Sequence, residues 1–412
     1  MLVGRMFRRL VRTGTLRVID ADGWMREYGD GNTPRVTVRL RDRALHWQLY
    51  LRPSLAAGEA FMAGRLTVED GSIYDFLEII GSNLQRIGGD GASGPLDRIA
   101  PLFRRLQQFN PVTRARRNVH HHYDLSGALY NLFLDADRHY SCAYFRHPDD
   151  DIERAQRQKL VHIAAKLQIG PGDRVLDIGC GWGGLSLYLA DALGADVTGI
   201  TLSAEQLHVA RARAARAGLA DRVRFQLCDY REVEGTFDRI VSVGMFEHVG
   251  IGHYRTFFRA LVDHLTDDGI ALVHSIGRAD RPGGTNPWIR KYVFPGGYTP
   301  ALSELVRAAE GTPLWLTDLE VWRLHYAETL RHWRRRFLAN RPQIRTLYDE
   351  RFCRMWEFYL AACEVSFRYL RQCVFQVQFA KRQDVLPLTR DYMVDAERAL
   401  ASTAPRLSEA AA

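Results

Sequence analysis

The sequence lacks any long apolar run, and this absence excludes a protein anchored by a spanning helix. No hydrophobic stretch approaches the roughly 18 residues that such a helix needs. Near the amino terminus, Arg5, Arg8, Arg9 and Arg12 interrupt the apolar segment that a secretory signal requires. We therefore expect a cytoplasmic protein whose contact with a membrane, if it has one, is peripheral.

Cysteine is scarce in this chain of 412 residues, and lysine is scarcer still. The six cysteines include no Cys-x-x-Cys pair, which disfavours a zinc site or a disulfide framework and suits a reducing cytoplasm. We expect no bound metal. Lysine occurs at only four positions, so arginine supplies nearly all of the positive charge.

The net charge of +8 points weakly towards anionic partners. Arg5, Arg8, Arg9 and Arg12 predict a basic face near the amino terminus, where each arginine can add about 1 kcal/mol of attraction to an anionic membrane. The sequence contains no recognisable RNA- or DNA-binding module, so a nucleic-acid partner is not expected.

The pattern of the chain divides it into three parts. Residues 1–87 form a small domain, with strand patterns over residues 16–19, 35–40 and 45–51 and a helical pattern over residues 73–80. Residues 88–109 form a linker that begins with the glycine-rich segment GGDGASGP. Residues 110–412 are expected to form the third and largest part.

The most informative segment is VLDIGCGWGG, residues 175–184, which joins a short apolar strand pattern to a run of glycines. Asp177 stands near the carboxyl end of this strand, and Gly179, Gly181 and Gly183 follow at alternate positions. Glycines at this spacing let the backbone pass close beneath a flat polar ligand, and the carboxylate can bind a cationic or hydroxylated group. The spacing differs from the dinucleotide pattern G-x-G-x-x-G and is typical of Rossmann-like proteins that bind S-adenosylmethionine.

Strand and helix patterns alternate on both sides of this segment, which favours a doubly wound parallel sheet. The predicted helices and strands cover residues 152–167, 175–178, 185–193, 196–200, 204–217, 223–227, 239–243, 254–265 and 270–274. Beyond residue 300 the pattern becomes mainly helical, over residues 326–339 and 347–380. These aromatic and aliphatic residues suit the wall of an acyl-chain tunnel, but an ordinary amphipathic core is the favoured explanation.

Ligands of such sheets bind beyond the carboxyl ends of the strands, so the loops that follow each strand carry the candidate site. Thr201 and Gln206 follow the second strand, and residues 229–231 follow the third. Glu247 follows the fourth strand and His274 ends the fifth, so the sequence predicts that an acid and an imidazole converge on one cleft.

Five segments in this order resemble the cyclopropane-fatty-acyl-phospholipid synthases and the related mycolic acid cyclopropane synthases. They are residues 140–145 (YSCAYF), 175–184, 226–231 (QLCDYR), 241–250 (VSVGMFEHVG) and 325–330 (HYAETL). The likeness spans residues 110–385. It implies a Rossmann-like S-adenosylmethionine-dependent methyltransferase fold with a small amino-terminal α+β domain and a helical carboxy-terminal extension. Residues 1–87 resemble the smaller lipid-binding domain of the phospholipid-acting members, and residues 110–412 are expected to form the S-adenosylmethionine-dependent catalytic domain.

The resemblance also implies the reaction, in which a methylene passes from S-adenosylmethionine to the cis double bond of an acyl chain in a membrane phospholipid. A cyclopropane ring forms, and a bound bicarbonate serves as the base. The implied bicarbonate ligands are the side chains of Glu247, His274 and Tyr326 and the backbone N–H groups of Cys142 and Ile276. The cofactor residues, taken from the resemblance and from the loops above, are Tyr140, Ser141, Asp177, Gly179, Gly181, Trp182, Gly183, Thr201, Leu202, Gln206, Asp229, Tyr230 and Arg231.

Cys363 matches a cysteine suspected as a nucleophile in this family, but packing is the favoured explanation, since a thiol in an apolar helix is usually inert. Consecutive residues cannot point at one ion, so a structural role is favoured for His120, His121 and His122 over a metal site. Residues 278–297 form an insertion that we interpret as a lid or a loop on the substrate side.

Two alternatives stay open. The first is a lipid methyltransferase that makes a methyl- or methylene-branched chain without closing a ring. The second is a lipid-binding protein whose cofactor site has decayed. The resemblance implies a homodimer and attachment to the inner face of the cell membrane.

Overall fold

The computed structural model describes residues 2–87 and 127–401. The predicted linker and the histidines His120, His121 and His122 lie outside the described residues. The helices and strands, in chain order, are α1 (Leu2–Leu10), β1 (Thr15–Ile19), β2 (Met25–Gly29), β3 (Arg35–Leu40), α2 (Leu45–Leu51), α3 (Pro53–Met62), β4 (Leu66–Asp70), α4 (Ile73–Arg86), α5 (Gly127–Asn131), α6 (Ile152–Leu167), β5 (Arg174–Ile178), α7 (Gly184–Leu193), β6 (Asp196–Thr201), α8 (Ala204–Arg216), β7 (Val223–Leu227), β8 (Phe237–Val243), α9 (Tyr254–His264), β9 (Leu265–Arg278), α10 (Pro287–Tyr292), α11 (Leu302–Ala309), β10 (Trp315–Trp322), α12 (His325–Ala339), α13 (Arg341–Leu347), α14 (Glu350–Tyr369), β11 (Gln372–Ala380) and α15 (Asp391–Ala401).

The described residues form two compact units. The first contains residues 2–87, 283–295 and 326–372, and the second contains residues 127–282, 296–325 and 373–401. This division differs from the predicted domains, because α14 packs on α4 and α10 packs on α3. The predicted domain limits of 1–87 and 110–412 stay a prediction.

The first unit is built on a four-stranded sheet in the order β2-β1-β3-β4. Strand β1 pairs antiparallel with β2 and parallel with β3, and β3 pairs antiparallel with β4. Helix α4 begins at Ser72, whose hydroxyl accepts the backbone N–H of Asp75 while the Asp75 carboxylate accepts that of Ser72. Mixed strands and helices confirm the α+β character expected of this part.

The second unit is built on a seven-stranded sheet in the order β10-β11-β9-β8-β5-β6-β7. The neighbours among β5 to β9 pair in parallel, and β10 pairs antiparallel with β11. One apolar cluster includes Phe246, Phe257 and Phe258, and another includes Leu160 and Val175. The predicted Rossmann-like sheet is confirmed.

The secondary structure predicted for two segments is wrong. Residues 45–51 were expected to form a strand but form helix α2, in which Leu45 and Leu49 share the buried face at helical spacing. Residues 372–380 were expected to be helical but form the inner strand β11. The helix ends before Arg371, whose φ of +60° is unfavourable within a helix. The carboxy-terminal part is therefore only partly helical.

Candidate functional site

The glycine turn follows β5 and depends on the absence of side chains. Gly179, Gly181 and Gly183 have φ angles of +85°, +55° and +85°, which other residues rarely adopt. A Cβ atom on Gly183 would lie 2.7 Å from the ring of Phe225. The turn therefore places bare backbone at the carboxyl end of the central strand.

Asp177 lies in β5, immediately before this turn, and is buried. Burial raises the pKa of Asp177 to about 6, although the Ser186 hydroxyl, which donates to its Oδ2 at 2.7 Å, acts in the opposite direction. Burial deprives the ionised Asp177 carboxylate of solvating water. A cation bound beside it would replace that solvation and stabilise the charged form.

The loops after β6 and β7 carry polar side chains that are held by hydrogen bonds to one another. The Thr201 hydroxyl donates to Oε1 of Gln206 at 2.8 Å, which fixes the side-chain amide of Gln206. Asp229 accepts two hydrogen bonds of 2.7 Å from the guanidinium of Arg231. The same guanidinium lies 5.2 Å from the centre of the Tyr230 ring. These three residues form a rigid, partly aromatic edge.

One pocket gathers most of the predicted cofactor residues at the carboxyl ends of the strands. Gly183 does not line it and instead precedes helix α7. The predicted residues that line it are Tyr140, Ser141, Asp177, Gly179, Gly181, Trp182, Thr201, Leu202, Gln206, Asp229, Tyr230 and Arg231. The prediction that these segments, which are distant along the chain, meet at one site is correct. Their role in binding the cofactor stays a prediction.

Glu247 follows β8 and is buried next to residues of this pocket. Its Oε1 accepts the backbone N–H of Ile276 at 2.6 Å, and its Oε2 has no hydrogen-bond partner among the residues described. Burial raises the pKa of Glu247 to about 7, while the Ile276 N–H acts in the opposite direction. The Ile276 N–H, expected to bind an anion, donates here to the Glu247 carboxyl group, and its role in anion binding stays a prediction.

His274 lies on β9, next to β8 and its following loop. The Gly244 N–H, which belongs to a pocket-lining residue, donates to the His274 carbonyl at 2.9 Å. The amide of Gln376 on β11 lies 3.1 Å from His274 Nδ1, and the indole of Trp322 contacts the imidazole edge-on at 5.0 Å. Burial lowers the pKa of His274 well below its ordinary value, so the imidazole is neutral at pH 7.

Two further predicted catalytic residues are Cys142 and Tyr326. Cys142 is buried, and its thiol lies 3.4 Å from the Ala143 carbonyl oxygen. Tyr326 belongs to the first unit, where its ring packs on those of Trp333 and Phe367. Its predicted meeting with Glu247 and His274 stays a prediction.

Cys363 also belongs to the first unit, on helix α14. Burial raises the pKa of its thiol to about 12, so thiolate is scarce at neutral pH. This favours the packing explanation over a nucleophilic role.

Sequence reasoning missed several residues around the pocket. Lys159 and His248 line it and are not signalled by any motif spacing, although His248 directly follows Glu247. Burial lowers the pKa of His248 to about 4, so it is neutral. Gln376 was missed because its segment was taken for a helix.

A mainly parallel, seven-stranded sheet with a pocket at the carboxyl ends of its strands fits the class of Rossmann-like methyltransferases. The family model described as mycolic acid cyclopropane synthetase matches residues 111–377, and the chain belongs to this family.

Two curated relatives cover most of the chain. A "Probable fatty acid methyltransferase" of Pseudomonas putida is 36% identical over 375 residues, which cover 88% of this chain and 92% of the relative. The cyclopropane-fatty-acyl-phospholipid synthase of Escherichia coli K12 is 37% identical over 354 residues, which cover 85% and 89%. The crystal structure of mycolic acid cyclopropane synthase CmaA1 with SAH and CTAB is 31% identical, with a TM-score of 0.62 over 66% of this chain and 99% of that one.

Proposed function

We propose that the protein transfers a methylene from S-adenosylmethionine to the cis double bond of unsaturated acyl chains in membrane phospholipids, forming a cyclopropane ring. The observation that carries this proposal is that Glu247 follows β8, while His274 on the adjacent strand β9 pairs with Val243, which lines the pocket of the glycine turn. The relatives support it, since one is a cyclopropane synthase and another is bound to SAH.

The chemistry explains why both parts of the site are needed. An isolated alkene is a weak nucleophile, so it reacts only with a sulfonium methyl held in line with the double bond. The π electrons bond to the methyl carbon while the carbon–sulfur bond breaks and its electrons stay on sulfur. A base then removes a proton from the new methyl group, and the released electron pair closes the ring onto the cationic carbon.

We infer that bicarbonate supplies this base when it is bound. Glu247, His274 and Tyr326, with the backbone N–H groups of Cys142 and Ile276, are the residues proposed to hold it. The unpartnered Oε2 of Glu247 suits a ligand that brings its own O–H. Two negative charges 4 Å apart repel by about 4 kcal/mol at an effective dielectric of 20, so a shared proton is required. A Glu247 pKa of about 7 is compatible with that proton.

The experiment is incubation of the purified protein with labelled S-adenosylmethionine and vesicles of an unsaturated phospholipid, followed by NMR of the acyl product. We expect signals of a cis-cyclopropane ring. A methyl or methylene branch would instead establish the second candidate, which the Pseudomonas putida relative favours. Absence of label in the lipid would contradict both.

We also propose that the first unit contacts an anionic bilayer and that the protein is a peripheral cytoplasmic enzyme. On α1, Val3, Phe7 and Leu10 are buried, whereas the arginines of this helix are exposed. Trp24 and Trp47 of the same unit are 73% and 59% exposed, and tryptophan is favoured at membrane interfaces. Within the described ranges, no helix is both long and apolar enough to cross a membrane.

A further inference from the structure

Lys159 is a buried lysine that lies against the pocket. It is only 1% exposed, although lysine is seldom buried without partners. It projects from helix α6 and lines the pocket together with Ser141 and Asp177. A charged group in this position needs a structural or a functional reason.

The direct partner of Lys159 is a predicted cofactor residue. The Lys159 ammonium donates to the Ser141 hydroxyl oxygen at 2.9 Å. One turn earlier on α6, the Gln156 amide donates to the Ser141 carbonyl at 3.0 Å. Helix α6 thus holds Ser141 by both its side chain and its backbone.

Nearby carboxylates keep a substantial share of Lys159 charged. Burial lowers the pKa of Lys159 to about 8, and attraction to Asp135 and Asp177 opposes this shift. Asp135 in turn accepts hydrogen bonds from the backbone N–H of His139 at 2.8 Å and lies 2.7 Å from its Nδ1. Asp135 therefore holds the start of the segment that leads to Ser141 and also attracts the Lys159 charge.

A hydroxyl has one hydrogen to donate and two lone pairs to accept. Because Lys159 donates to the Ser141 oxygen, the Ser141 hydrogen is directed elsewhere, and the nearby positive charge strengthens it as a donor. Such a donor in a pocket suits an anionic ligand group.

We infer that Lys159, acting through Ser141, forms the binding site for the carboxylate at the amino-acid end of the pocket ligand. Lys159 is thus a positioning residue. The inference rests on the proposed use of S-adenosylmethionine, whose methionine portion carries that carboxylate while its adenosine portion does not.

The test compares S-adenosylhomocysteine with methylthioadenosine, which lacks the amino-acid portion, by calorimetry on the full chain. We expect Lys159→Met to raise the Kd of S-adenosylhomocysteine on the order of 10- to 100-fold. The Kd of methylthioadenosine should change less than roughly threefold. Ser141→Ala should show the same selectivity, and the double variant should be little weaker than either single variant, because both changes remove one hydrogen-bonded unit.

Lys166→Met is the matched control. Lys166 lies on the same helix and is equally buried, but it pairs with Glu320 and Asp318 and does not line the pocket. We expect Lys166→Met to lower the Tm and to leave both Kd values unchanged.

Equal weakening of both ligands by Lys159→Met, or unchanged binding of S-adenosylhomocysteine by Ser141→Ala, would overturn the inference alone. The Ser141 variant decides the matter even if Lys159→Met does not fold. If the unsubstituted protein bound neither ligand, the proposed function would fail as well.

Discussion

At the scale of single residues, burial drives Glu247, which follows β8, and His274, which lies on β9, towards their neutral forms. The pKa of Glu247 is raised to about 7, and that of His274 is lowered well below its ordinary value. Near pH 7, Glu247 is therefore about half ionised and His274 is neutral. A site of this kind can accept an anion and a developing cation without first losing a strong ion pair.

Glu247→Gln tests this interpretation through stability and activity together. Folded Glu247 binds a proton more tightly than unfolded Glu247, so its contribution to stability is lost as pH rises from about 4.5 to about 7. We expect Glu247→Gln to reduce ring formation on the order of 100-fold. Relative to the unsubstituted protein, its free energy of unfolding should improve between pH 5 and pH 8, as measured by urea denaturation.

Glu234→Gln, which alters an exposed acid, should change neither quantity. The pKa of Asp177 is also raised, but Asp177 is present in both the unsubstituted protein and the Glu247→Gln variant. Its contribution therefore cancels in the difference between their free energies of unfolding. A stability difference independent of pH would mean that Glu247 is ionised in the folded state.

The sequence predicted the site residues that stand at fixed positions after strands, because parallel strands bring their carboxyl ends together. It could not predict Lys159 or Gln376. Lys159 is 18 residues from Ser141, and Gln376 is 102 residues from His274. Their importance depends on which helix face or strand neighbour meets the site, and no local spacing encodes that.

At the scale of helices and strands, the spacing of apolar residues along the chain predicted the longer helices and strands well. Helix α6 and strand β7 have their predicted limits, because their apolar residues repeat at helical or strand spacing. Short apolar segments such as residues 45–51 contain too few apolar residues to distinguish helical spacing from strand spacing. Strand β11 was missed because its neighbours β9 and β10, rather than its own composition, decide its structure.

Gly183→Ala tests how strongly the glycine turn is determined. Alanine at a φ of +85° is strained, and its Cβ would overlap Phe225, so we expect a loss of about 2–4 kcal/mol in the free energy of unfolding. Gly218→Ala is the matched control, since Gly218 has a φ of +67° and open space around its Cβ position. It should lose only about 1 kcal/mol. Equal losses in urea denaturation would show that contact with Phe225 contributes nothing.

At the scale of the whole molecule, the proposed phospholipid substrate sets a physical problem. A double bond within a phospholipid lies among the acyl chains, whereas the protein's surface meets the headgroups first. The net charge of +8 and the exposed arginines favour attraction to anionic lipid, and exposed tryptophans favour insertion at the interface. Electrostatic attraction and the burial of apolar side chains should therefore contribute separately to the affinity for anionic membranes.

Sedimentation with anionic phospholipid vesicles separates these two contributions. Binding should weaken as salt rises, because added ions screen charges beyond about 10 Å at 0.1 M ionic strength. Trp24→Ala and Trp47→Ala should each weaken binding roughly tenfold, or about 1.4 kcal/mol, at every salt concentration. Trp315→Ala, in the second unit and 52% exposed, is the matched control and should bind as the unsubstituted protein does. Binding insensitive to salt, or equally weakened by Trp315→Ala, would contradict this membrane contact, because neither result can arise from a basic, tryptophan-bearing surface on the first unit.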